Sequence, residues 1–169
     1  MGDRFPCYQA AAVQMAAVWM DREATTEKAV RLIQEAGARG AKLIVLPEVI
    51  IPGTPHWIWK EPERYDYFAE LFKNAVEIPS PTVTRLGAAA RQADAYVVVG
   101  VHERAAKTLY NTMLFLDRDG QLLGKRRKLI GTYVEQTIWG MGGGIDLPVF
   151  APELGKLGGL ICRENFSNL

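Results

Sequence analysis

The apolar positions follow two periods. Residues 22–39 place Ala29, Leu32, Ile33 and Ala36 on one helical face, with Asp21 at the start and Gly40 at the end. That spacing predicts a helix capped by the aspartate and stopped by the glycine. Two short apolar runs flank it. Residues 8–16 (YQAAAVQMA) predict a buried first strand of small side chains, and residues 42–46 (KLIVL) predict a second strand. Strand, helix and strand at this spacing make a βαβ unit, hence a parallel pair with a right-handed crossover. Further on, residues 61–76 carry the stripe Tyr65, Phe68, Leu71 and Phe72. Ser80 and Pro81 then open another helix that runs to about residue 92. Residues 95–101 (AYVVVGV) and 108–116 (TLYNTMLFL) predict strands, and Asp119-Gly120 a hairpin turn into residues 121–124. Residues 148–150 read as a short strand or extended arm, and residues 157–162 as a last strand that carries Cys162. The class is α/β, with hairpins added to parallel elements.

Charge changes this picture little. Twenty basic and nineteen acidic residues leave a net charge of +1, which calls for neither nucleic acid nor an anionic membrane. The basic run of residues 125–128 has no flanking basic patch. No window reaches the length of a membrane span, and the start, with Asp3 and Arg4, has no signal-peptide pattern. Two cysteines, Cys7 and Cys162, stand at opposite ends, which suits a reduced, cytoplasmic protein. With His56 and His102 as the only histidines, no metal-ligand spacing is present. The glycines match no phosphate-binding loop.

Candidate chemistry sits at strand ends. Glu48 follows the second strand, where α/β folds gather functional groups, though a solvated loop acid reads the same way locally. His102 and Glu103 come where the 95–101 strand ends. Residues 50–59 form a stiff aromatic loop with His56, Trp57 and Trp59, suited to lining a pocket or meeting another subunit. A cysteine attacks as thiolate and needs a base or a cation nearby. Glu48 could take the thiol proton, and Lys128 could hold developing negative charge. A bland domain with a buried Cys162 is the competing reading.

Assembled, these residues resemble the nitrilase superfamily of carbon–nitrogen hydrolases. Pro47-Glu48 with Ile51-Pro52-Gly53 looks like the catalytic-glutamate segment. Tyr110-Asn111-Thr112 with Asp119-Gly120 looks like the next signature. Arg127-Lys128-Leu129, with Thr132, Glu135 and Trp139-Gly140, looks like the lysine loop. Gly159-Leu160-Ile161-Cys162 with Glu164-Asn165 looks like the nucleophile segment. The pattern from Pro52 to Trp57 resembles the true nitrilase branch.

The resemblance implies an α-β-β-α sandwich built from two sheets, in homo-oligomers, with no cofactor and no metal. It implies that Glu48 is the base, Cys162 the nucleophile, Lys128 the cation on the intermediates and Glu135 the second glutamate. His56, Trp57 and Arg163 would border the substrate, a small nitrile or amide. Amidase or carbamoylase chemistry and an inactive, merely associating relative are the alternatives. Gly131 stands where proline is usual, Gln136 where arginine or lysine is usual, and Arg163 where tryptophan is usual; Ser167-Asn168 stands where Met-Pro is common. Gly131 is expected to loosen the lysine loop. Because family members run to about twice this length, residues 1–169 are expected to be the N-terminal portion of a carbon–nitrogen hydrolase domain. On that expectation the domain is cut off after the nucleophile and the sandwich is incomplete.

Overall fold

A computed structural model describes residues 6–166. The expectations at Asp3-Arg4 and Ser167-Asn168 lie outside the described residues. Five strands form one sheet in sequence order: β1 (Ala10–Ala12), β2 (Leu43–Val45), β3 (Tyr96–Ala105), β4 (Thr108–Leu116) and β5 (Leu122–Arg127). β1, β2 and β3 pair in parallel; β3, β4 and β5 pair antiparallel. Helix α1 (Arg22–Ala38) makes the crossover between β1 and β2, and α2 (Tyr65–Asn74) and α3 (Pro81–Ala93) lie between β2 and β3. The fold is α/β, with a mixed, open sheet flanked by helices.

The local signals explain the helices. The Asp21 carboxylate accepts from the Ala24 amide at 2.9 Å, and Gly40 takes φ 91° just past the end of α1. Ala29 and Ile33 are fully buried and meet Ile44, Leu86, Val97, Val99 and Leu114 in the main core. Each large aliphatic side chain there contributes about 1.5–3 kcal/mol by leaving water. A second cluster joins Leu71 of α2 and Ala75, just past its end, to Val49, Ile58, Leu109, Ile138 and Trp139, under the loops that follow β2 and β5.

Several boundaries differ from expectation. The first strand is three residues long, and Ala10 and Ala12 are exposed, because β1 is the sheet edge and small side chains there have little to pack on. Ser80 makes no side-chain cap; its carbonyl instead accepts from the Thr84 amide. The third strand runs on to Ala105, so His102 and Glu103 sit inside it, paired with Asn111 and Tyr110. β5 extends through Arg127, which puts most of the basic run on a strand instead of in a loop. The expected last strand is absent. Phe150 and Leu157 share one isolated bridge, and residues 158–161 pair with no strand. Cys162 opens a 3-10 turn, Cys162–Phe166. Residues 148–161 cross part of the helix-free face of the sheet, with Phe150 on Phe115 at a centroid distance of 5.0 Å. Among the described residues, no helix is long and apolar enough to cross a membrane.

Candidate active site

Glu48 stands three residues beyond β2, where Pro47 helps end the pairing. The next strand makes room for it. A Cβ on Gly100 of β3 would lie 2.5 Å from the Pro47 carbonyl oxygen and 2.7 Å from the Glu48 Cα. With no side chain there, the loop crosses β3 in direct contact. The Glu48 carboxylate therefore reaches β4 and the end of β5: Asn111 Nδ2 donates to its Oε1 at 2.7 Å, and Lys128 Nζ donates to the same oxygen at 3.1 Å.

Lys128 is fixed through its backbone. Its amide donates to the Asn111 carbonyl at 2.8 Å and its carbonyl accepts from the Gly142 amide at 2.9 Å. The side chain is 2% exposed, and Nζ also donates to Glu135 Oε2 at 2.7 Å. Burial by itself would lower the Lys128 ammonium; the hydrogen bond to Glu135 and the charge and hydrogen bond of Glu48 outweigh it, so the net direction is up. Glu135 lies in the 3-10 turn Tyr133–Thr137, and its carboxylate also accepts from the Thr132 amide at 2.7 Å.

Cys162 completes the group. A carboxylate oxygen of Glu48, one of Glu135 and Cys162 Sγ all lie within 4.8 Å of one another. The thiol is free and exposed. These three groups have the donor types of a small metal cluster, but the Lys128 ammonium already occupies the cation position between the two carboxylates. Left-handed backbone gathers here: Val49 has φ 39°, Tyr133 φ 48° and Cys162 φ 53°. Such conformations cost of order 1–3 kcal/mol each and persist where surrounding contacts enforce them.

Around these groups the remaining charges are consumed internally. Glu103 takes Lys125 and Arg127, the latter with Nη2–Oε1 at 2.6 Å, together with the Thr112 hydroxyl at 2.8 Å. Desolvation pushes the Glu103 carboxyl up, but those donors prevail and hold it below its ordinary value. Trp139 Nε1 donates to His102 Nδ1 at 3.0 Å. The ring proton is thereby assigned to Nε2, which donates to the Gly53 carbonyl at 3.1 Å. Burial pushes His102 down to about 3, against the weaker opposing effect of the Gly53 bond.

The structure brings Glu48, Lys128, Glu135 and Cys162 together. A cavity of about 200 Å³ opens beside Glu48, Asn111 and Cys162, walled by Val45, Met113 and Leu160. His56 and Trp57 are not among its lining residues. His56 is exposed at the start of the 3-10 turn His56–Trp59, and Trp57 packs edge-on against Trp19 and Tyr67, at 6.3 and 5.6 Å between centroids. Arg163 is exposed, 5.4 Å from the Tyr133 ring centroid. A wider cavity of about 670 Å³, bordered by Tyr96, Arg118 and Phe150, includes none of the candidate residues. Gly131, in the lysine loop, is buried, and its carbonyl accepts from Gln136 Nε2 at 3.0 Å. In the sequence, Asn111 stands in the Tyr110-Asn111-Thr112 signature and Glu164 in the nucleophile segment, with no role attached to either.

The family pattern described as carbon-nitrogen hydrolase matches residues 9–169. A nitrilase from Bacillus sp. (strain OxB-1) is 48% identical over 164 residues, covering 96% of this chain and 48% of that protein. An aliphatic nitrilase from Rhodococcus rhodochrous is 41% identical over 165 residues, covering 96% of this chain and 45% of that protein. The chain thus spans about half the length of these relatives. Among solved structures, an amidase from Nesterenkonia sp. superposes with a TM-score of 0.70 at 19% identity, covering 95% of this chain and 57% of that one. A CN-hydrolase superfamily protein from Xanthomonas campestris superposes with a TM-score of 0.73 at 18% identity, covering 93% and 54%. Both show the same fold.

The reading of this chain as the N-terminal half only is corrected by the family match, which runs over nearly the whole chain; that match carries the superfamily and no particular branch of it. With that match and relatives above 40% identity, the chain belongs to the carbon-nitrogen hydrolase family.

Proposed function

We propose that this chain hydrolyses the carbon–nitrogen bond of a small nitrile through a covalent intermediate on Cys162. The observation that carries the reading is the meeting of one thiol, two carboxylates and one ammonium from four separate segments. Glu48 takes the thiol proton. The Cys162 sulfur forms a bond to the nitrile carbon while one C–N π bond breaks, and the nitrogen gains a proton to give a thioimidate. Water adds to that carbon, the C–N bond breaks and ammonia leaves, giving a thioester. A second water breaks the C–S bond, releases the carboxylic acid and restores the thiol. Lys128 faces the negative charge that develops at each addition, and a charge-assisted donor of this kind contributes about 10²–10³ in rate. Glu135 holds the Lys128 ammonium in place, and the Arg163 backbone amide lies beside the nucleophile as a further donor. The names of the two nitrilase relatives support the nitrile substrate. An amide joins the same path at the tetrahedral stage, as would suit an amidase or carbamoylase.

Three wider features belong to the same proposal. The single sheet with α1 and α3 on one face supports half of an α-β-β-α arrangement. Free Cys7 and Cys162 suit the cytoplasm. Exposed Ile130, Tyr133 and Phe166 suit self-association.

The test is ammonia release from nitrile and amide panels, with intact-mass detection of adducts. Turnover and a Cys162-linked acyl or imidate adduct are expected, and both disappear in Cys162→Ala and in Lys128→Ala. Turnover that persists in Cys162→Ala refutes the covalent route. No ammonia from either panel, with no adduct, leaves an inert relative.

A further inference from the structure

Glu164 lies two residues after the nucleophile, and the mechanism above does not use it. Its side chain is 8% exposed. Oε1 accepts from the Leu129 amide at 2.7 Å, and Oε2 accepts from the Ile161 amide at 2.7 Å. Leu129 follows Lys128, and Ile161 precedes Cys162. One carboxylate therefore grips the backbone beside the ammonium and the backbone beside the thiol. Among the described residues, no strand ladder joins residues 158–161 to the sheet, so this carboxylate is the hydrogen-bonded tie between the nucleophile turn and the end of β5.

Arg126 supplies its counter-charge. The guanidinium is 1% exposed, with Nη2 2.7 Å from Glu164 Oε2. That contact is off the N–H axis, and Nε has no partner, so Arg126 is held by charge more than by aligned hydrogen bonds. Arg126 lies in β5, two positions before Lys128, which follows directly after the strand's end. All three groups around Glu164 are donors. Only an ionised carboxylate offers acceptors to each of them; a glutamine would turn an NH₂ toward one of the amides. The left-handed Cys162 backbone is also held by Asn165 Nδ2, which donates to the Cys162 carbonyl at 2.8 Å.

We propose that Glu164 is a positioning residue that sets the spacing of the Cys162 thiol from the Lys128 ammonium, with Arg126 as its buried counter-charge. For its turnover readout this rests on the function proposed above; its second readout does not.

The test compares Glu164→Gln and the double variant Arg126→Met/Glu164→Gln with the unaltered protein. Cys162 alkylation by iodoacetamide is followed across pH by peptide mass spectrometry, with exposed Cys7 as internal reference. Glu164→Gln should lower kcat about tenfold or more with KM within about twofold, as expected for misplaced groups. The Cys162 alkylation profile should move to higher pH while that of Cys7 stays. The double variant removes the unpaired buried cation, so it should regain thermal stability without regaining kcat or the alkylation profile. A double variant with unaltered kcat and unaltered Cys162 profile overturns the proposal, since Glu164 would then only balance Arg126. If the unaltered protein turns nothing over, the proposed function fails while the alkylation arm still decides the positioning role. If neither variant folds, amide exchange in the unaltered protein decides. Leu129 and Ile161 should show one common protection factor, and independent protection overturns the link.

Discussion

Asn111 spends its amide on the carboxylate that would act as base. Its Nδ2 donates to Glu48 Oε1, the oxygen that also accepts from Lys128, while its own Oδ1 is buried without a partner. The opposite amide orientation would set a carbonyl oxygen against the carboxylate, so chemistry selects the one described. Asn111→Asp places a second carboxylate where the donor was, and like charges at hydrogen-bond distance resist joint ionisation. Turnover is expected to fall about 10²-fold near neutral pH, the scale of losing one aligned donor, with the pH–rate profile displaced. Steady-state kinetics across pH check this, and an unchanged profile would remove Asn111 from the site. The sequence marks the residue as part of a family signature but not what it does, because its contact is with a partner 63 positions away. Gly131 and Gln136 also meet, through a side-chain bond to a backbone carbonyl that no residue spacing announces.

At the scale of elements, the crossing of the Glu48 loop over β3 is the most exposed to a small change. The neighbours that a Gly100 Cβ would meet are all backbone, at 2.5–2.7 Å, so no side chain can swing away. Gly100→Ala is therefore expected to push the Glu48 segment off β3. A stability loss of about 1–3 kcal/mol, as for overpacking, should accompany loss of most activity. Urea denaturation and turnover measured together check it; an alanine variant of full stability and activity would show that the loop has slack. The glycine stands in the sequence as a break in a run of valines, but the loop that crosses it is not marked there. The last strand was not foreseeable in the same way. Residues 157–162 have strand composition, yet their glycines, their place on the helix-free face and the turn at Cys162 yield an extended arm and a 3-10 turn.

For the whole molecule, His102 joins the loops that carry the candidate residues. It bonds to Gly53, beyond Glu48, and to Trp139, beyond Glu135. Its folded-state value, about 3, lies below the ordinary 6.5, so the unfolded chain binds the proton first as pH falls. The stability it contributes is complete above about 6.5 and is lost between there and about 3. At pH 5.5, still above the ordinary carboxylate range, this one group should cost about 1.4 kcal/mol relative to neutral pH. Urea midpoints at pH 7.5 and 5.5 test this, with His102→Gln expected to flatten the difference. An equal acid sensitivity in that variant would assign the effect to other groups.

What the sequence determined by itself is local. The crossover unit around α1, the helix opened by Pro81 and the hairpin at Asp119-Gly120 follow from periodicity, capping and turn chemistry within a few positions, whereas the four candidate residues were picked out by the family resemblance of their segments. The tertiary structure decided which of these meet. Glu48 and Lys128 are 80 positions apart, and their contact depends on the register of four strands and on one missing Cβ. The grip of Glu164 on the segments beside Lys128 and Cys162 is likewise beyond any short spacing. Its energy comes from burial and from a counter-charge on another strand, neither of which a linear pattern carries.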